Sequence, residues 1–75
     1  MNVSNIDEAL TTGLYRYGST ASGVKPTSGG GVLFVIAFNA TYSQQIALPY
    51  AENGSNGVFK RVVFSGSATA WVNLI

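Results

Sequence analysis

Asp7, Glu8 and Glu52 are the only acidic residues in this chain of 75, and there is no histidine or cysteine. Catalysis by side chains usually needs a richer set. A glycosidase needs two carboxyl groups flanking one bond, and no spacing here brings Glu52 to the neighbouring pair Asp7–Glu8. Those two suit the positive end of a helical turn instead. No serine or threonine has a histidine to activate it, and no lysine stands in a serine–lysine signature. Without thiols or imidazoles the chain has no disulfide and no site built on cysteine or histidine ligands. The expectation is a chain that is not an enzyme, with no catalytic residue, cofactor or metal.

The stretch "GSTASGVK" has the glycine spacing of a phosphate-binding loop, with Gly18 and Gly23. Lysine should follow the second glycine directly and be followed by Ser or Thr. Here Val24 intervenes and Pro26 follows Lys25, and no helix is in place to receive a phosphate. Arg16, Lys25, Lys60 and Arg61 leave a net charge of +1, too little to track a nucleic-acid backbone. Asn2, Asn39 and Asn53 sit in glycosylation sequons, which a chain this rich in Asn, Ser and Thr produces by chance.

What replaces charge is Ser, Thr, Asn, Gly and Tyr, a palette found both in turns and in adaptable binding loops. Tyr15, Tyr17, Tyr42, Tyr50 and Trp71 have rings that could stack on sugars. Phe34, Phe38, Phe59 and Trp71 read as core or interface filling. Tyr42 and Tyr50, beside turns, fit either role. Arg61 and Trp71 fall on strands that can face each other, and a guanidinium over the indole would make a structural clasp.

These residues need a scaffold, and the pattern is β. "SNIDEALTTG" allows one helical turn capped by Asn5, with Glu8 in the capping-box position and Ile6 and Leu10 on one face. "LYRYG" alternates as an outer strand with Tyr15 and Tyr17 on one side, and a Gly/Ser/Pro-rich loop follows. The central strand spans Gly31 to Ala40. In "QIALPY", Ile46 and Leu48 point one way, Ala47 the other, and Pro49 marks an edge or strand end. Asn53-Gly54 and Asn56-Gly57 suit a hairpin turn, "VFKRVVF" returns, "SGSATA" is a loop, and "WVNLI" ends the chain with Trp71, Asn73 and Ile75 on one face. The expected fold is all-β. It is a small antiparallel meander or sandwich of about five strands in a single domain, 1–75, with one short N-terminal helical turn. A monomeric SH3-like barrel, holding a peptide in its loops, is the alternative.

Val32 to Phe38 is apolar without alternation, so it offers hydrophobic side chains to both faces of its sheet. Apolar residues are 47 percent of the chain and charged residues 9 percent. One helical turn and some loops can cover one face, and self-association would cover the other. No segment approaches the roughly 20 apolar residues that span a bilayer, and the N-terminus does not read as a signal peptide.

The order of residues resembles a known family. "DEALTTGLYRY", "GGVLFVI", "QQIAL", "NGVFKR" and "AWVNL" follow one another as in the knob-like repeat of bacteriophage tail fibres and tailocins, the pyocin-knob domain. The resemblance runs from Asp7 to Leu74. It is most specific at Thr12–Tyr15, Gly31–Ile36, Arg61 and Trp71-Val72. It implies a module of a host-attachment fibre or tailspike. Such a module is part of the virion tail, is assembled in the bacterial cytoplasm, and is a homotrimer joined to other fibre or tail segments. Two roles follow: recognition of bacterial surface polysaccharide, or a cap or trimerisation domain. For recognition, the candidate ligand-binding residues are Tyr42, Gln44, Tyr50, Asn53 and Asn56 beside the loops, with Lys25 available for an acidic sugar. A free-standing peptide-binding or regulatory module is a further reading.

Overall fold

The computed structural model describes residues 2–27, 29–49 and 57–74. Six strands form one antiparallel sheet: β1 Gly13–Tyr17, β2 Gly31–Ala37, β3 Tyr42–Pro49, β4 Phe59–Phe64, β5 Ser67–Ala68 and β6 Val72–Asn73. Their order is β1-β2-β3-β4-β5, with β6 beside β5 on the same flank of β4. The all-β meander read from the sequence is the observed architecture. Its hairpin segment 50–56, including both Asn-Gly signals apart from Gly57, lies outside the described residues.

Register fixes the two faces. Tyr15, Leu33, Ala47 and Phe59 stand in one cross-strand row, and Val35, Gln45 and Arg61 in the next. With Tyr17, Ser43 and Val63, these rows make the covered face, buried except for the half-buried Phe59. The cover is thin and comes from the N-terminal residues and the loop after β1. Ile6 and Ala9 are buried against the sheet, with Val3, Ala21 and Trp71 packed beside them.

The helical turn is a 3-10 turn, Ile6–Glu8. Asn5 caps it as expected, its side chain accepting from Asp7 N at 3.0 Å. The turn ends at Ala9, so Ala9 joins Ile6 in the core and Leu10 is exposed, contrary to the expected Ile6–Leu10 face. A tighter helix with three residues per turn brings i and i+3 together rather than i and i+4.

Other differences are local. The apolar strand stops at Ala37, because Asn39 Oδ1 accepts from Thr41 N and Tyr42 N, each at 2.9 Å, and turns the chain. "SGSATA" contains a tight hairpin rather than a loop: Ser65 (φ 50°) and Gly66 (φ 81°) are both left-handed, and Phe64 pairs with Ser67. Two positive φ values match the twist of the flanking strands. The terminal strand is only two residues long, with Trp71 outside it. β5 and β6 leave a gap opposite Val62. Thr69 fills it, its Oγ1 accepting from Val62 N at 3.0 Å and its N donating to Val62 O at 2.8 Å.

Candidate functional site

Among the described residues, the opposite face of the sheet is largely open. Leu14, Phe34, Ile46, Lys60 and Val72 form one continuous row across five strands. Arg16, Val32 and Leu48 flank it on one side, and Ile36, Gln44 and Val62 on the other. Phe34 is 43 percent exposed and Ile36 56 percent, and Leu14 and Leu48 are also exposed. This is the non-alternation of Val32–Phe38 in three dimensions: Leu33 and Val35 enter the core while Phe34 and Ile36 face outward. Phe34 and Phe38 therefore do not fill this chain's own core, whereas Phe59 and Trp71 pack against it.

At one end of the open face, Tyr42 lies between two phenylalanines. Its ring is 6.4 Å from Phe38 and 6.2 Å from Phe64, both edge-on. Gln44 Nε2 donates to Tyr42 Oη at 3.2 Å, so two of the candidate binding residues form one unit. Phe38, 82 percent exposed, adds an open ring to this rim. Sequence reading had not placed Phe38 and Phe64 beside Tyr42. The alternation of "YSQQIALP" against "FKRVVF" was the available signal, but it lacked the register.

Lys25 is elsewhere. Its Nζ donates to Ser19 O at 2.6 Å within the loop after β1, and that loop is fastened to the covered face through Val24. The structure therefore does not bring Lys25 together with Tyr42 and Gln44. Tyr50, Asn53 and Asn56 lie outside the described residues.

The expected Arg61–Trp71 stack is present, with the guanidinium carbon 4.5 Å from the indole centroid. Arg61 is 2 percent exposed and organises the whole cover. Its Nε donates to Gln45 Oε1 at 2.7 Å, one terminal nitrogen to Val24 O at 3.3 Å and the other to Asp7 Oδ1 at 2.8 Å. Gln45 Nε2 in turn donates to Ile6 O at 2.9 Å and Ala9 O at 3.0 Å. Trp71 Nε1 donates to Val24 O at 2.7 Å. Every polar atom of Gln45 and every nitrogen of Arg61 is engaged, so the hydrogen bonds and the Asp7 carboxylate offset the cost of burying the guanidinium. This centre holds the cover on the sheet. Sequence reading found Arg61 and Trp71 but not Gln45.

Burial raises the Tyr17 hydroxyl above its ordinary pKa of 10.0 through desolvation, and that hydroxyl has no hydrogen-bond partner among the described residues. Among the described residues, no helix is long and apolar enough to cross a membrane.

A solved structure of an N-truncated R2-type pyocin tail fibre superposes on the chain with a TM-score of 0.79, over 99 percent of its length. The chain has the fold of a segment of that fibre. Identity over the match is 19 percent, and the chain spans 30 percent of the fibre chain's length. No family model and no curated protein matches the sequence. The pyocin tail-fibre likeness expected from the motifs is thus present at the level of the fold.

Proposed function

We propose that the chain is a non-enzymatic structural module of a tail fibre or tailspike, carried in the virion tail and assembled in the bacterial cytoplasm. In this reading its open sheet face is covered by further copies of itself. The observation that supports this is the row from Leu14 through Phe34 and Ile46 to Val72, apolar except for Lys60 and flanked by Val32, Leu48, Ile36 and Val62. Monomeric proteins rarely leave so contiguous an apolar surface in water. A cyclic arrangement of copies buries it and closes, where an open one would grow into aggregates. The number three comes from the pyocin-knob resemblance, as do the neighbouring fibre or tail segments expected as partners.

Recognition of a bacterial surface polysaccharide is the second reading, supported by the aromatic rim of Phe38, Tyr42 and Phe64 with the Gln44 amide beside it. Aromatic edges and an amide suit a sugar's apolar and polar sides. Sedimentation of the chain at micromolar concentration tests the first reading, with Ile36→Lys as the disrupting variant. A wild-type trimer that Ile36→Lys converts to a folded monomer is expected; a wild-type monomer would sink it. A glycan array on the assembled wild type and on Tyr42→Ala tests the second reading: binding that Tyr42→Ala abolishes supports it, and binding that Tyr42→Ala leaves intact sinks it.

A further inference from the structure

A groove of about 690 Å³ lies at the outer edge of the sheet, where the N-terminal residues, the end of β1, the turn that follows and the start of β2 meet. Its size is that of a small-ligand cleft, which ranges over roughly 300–1,000 Å³. Backbone hydrogen bonds fix its walls. Val3 N donates to Arg16 O at 2.9 Å, Ser22 N to Ser4 O at 2.7 Å, and Ala21 N to Gly18 O at 3.0 Å. A parallel bridge joins Asn2 to Arg16. The groove is therefore preformed.

Its lining is chemically mixed. Asn2, Ser4 and Thr20 supply an amide and two hydroxyls, Val32 and Ala21 supply apolar surface, and Arg16 supplies a guanidinium. No carboxylate lines it among the described residues. The ion pair among those residues joins Arg61 to Asp7, so Arg16 has no acidic partner there. A planar fork of donors favours a carboxylate held by two parallel bonds. Neighbouring hydroxyls and an amide, each able to donate or accept, favour a ligand rich in hydroxyls.

We propose that this groove binds a hydroxylated carboxylate of monosaccharide size, a hexuronic acid unit, with Arg16 on its carboxylate and Asn2, Ser4 and Thr20 on its hydroxyls. The site is separate from the aromatic rim, and it adjoins the open face, because Arg16 and Val32 border both. Lys60, the other cation of the sheet outside the Arg61 centre, lies mid-row and does not line the groove.

The test uses sodium glucuronate as probe, followed by saturation-transfer NMR and titration calorimetry, with glucose and acetate as separate arms. Glucuronate should bind roughly tenfold more tightly than either. Arg16→Gln should weaken it by about tenfold and Thr20→Val by less, while Lys60→Gln leaves it unchanged. Circular dichroism and the melting temperature establish that each variant is folded; Arg16 and Thr20 start from exposed positions and Lys60 from a half-buried one. Equal binding of glucose, an unchanged affinity in folded Arg16→Gln and Thr20→Val, or no glucuronate binding would each overturn the proposal. Sedimentation of the wild type and of Arg16→Gln reads self-association separately, so failure of one reading is told apart from failure of the other.

Discussion

Arg61 and Gln45 are direct cross-strand partners on β4 and β3, and their 2.7 Å hydrogen bond joins the sheet to its cover. The pair divides the work. Gln45 reaches the carbonyls at either end of the 3-10 turn, and Arg61 reaches Asp7 and the loop after β1. Gln45→Leu keeps bulk but leaves Ala9 O and one guanidinium donor without their partner, and Ile6 O with only the long 3.5 Å bonds from Arg61 and Ala9 N. It should cost about 3 kcal/mol, because buried groups left unpaired lose their full solvation. Thermal unfolding should show a fall of roughly 12–24 °C for a chain this small.

Asp7 and Glu8 are neighbours with different fates. Asp7→Asn removes the carboxylate facing a buried guanidinium and should destabilise by about 2 kcal/mol, less than a fully buried pair because the Asp7 side chain is 41 percent exposed. Glu8→Gln, at an exposed position, should change stability by less than about 0.5 kcal/mol. Urea titration of both variants checks the contrast. Trp71 fluorescence should shift only in the first, because its indole stacks on the same guanidinium.

Tyr17 should be better off as phenylalanine. Its buried hydroxyl has no partner among the described residues, so Tyr17→Phe should be neutral or stabilise by up to about 1 kcal/mol. The raised pKa gives a second readout. Between the ordinary value of 10.0 and the higher folded-state value, the folded chain holds a proton that the unfolded chain has lost. Stability therefore falls as pH rises above 10. Tyr17→Phe should remove that part of the alkaline loss, as measured by denaturant midpoints at increasing pH.

Two glycines should respond oppositely to alanine. At Gly31 a Cβ would stand 2.6 Å from Pro49 Cα, 2.7 Å from Leu48 O and 2.8 Å from Tyr17 Oη, at the start of β2 between β1 and β3. Gly31→Ala should cost about 2–3 kcal/mol through forced backbone shifts. At Gly18 a Cβ meets nothing within 4 Å, and Gly18→Ala should be close to neutral. Melting temperatures of the two variants decide this.

Much of the sheet was legible because its signals are local. Alternation in "LYRY" and "QIALP" put Tyr15 and Tyr17 on one face and separated Ala47 from Ile46 and Leu48, and Asn5 marked its turn; which face is buried came from the structure. What escaped depends on distant partners. β5 and β6 are two residues each and exist because Thr69 substitutes a side-chain oxygen for a ladder bond opposite Val62. The adjacent glutamines Gln44 and Gln45 point to opposite faces, but no local property says which one meets Arg61 in the core. The aromatic rim escaped for the same reason: Phe38, Tyr42 and Phe64 come together only through the register of β2, β3 and β4. The groove at Arg16 escaped because the N-terminal residues carry no strand pattern before they bridge to β1.

The loop after β1 is held at Val24 by its peptide group alone. Its N–H donates to Asp7 Oδ1 at 3.2 Å, and its carbonyl accepts from Arg61 and Trp71. The Val24 side chain takes no part and is 64 percent exposed. The clasp thus recognises a main-chain unit and not a residue type. Any amino acid that retains its amide hydrogen fits there, which leaves out only proline. Position 24 is accordingly a point where natural variation or a randomised library can change what the surface displays without disturbing the framework beneath.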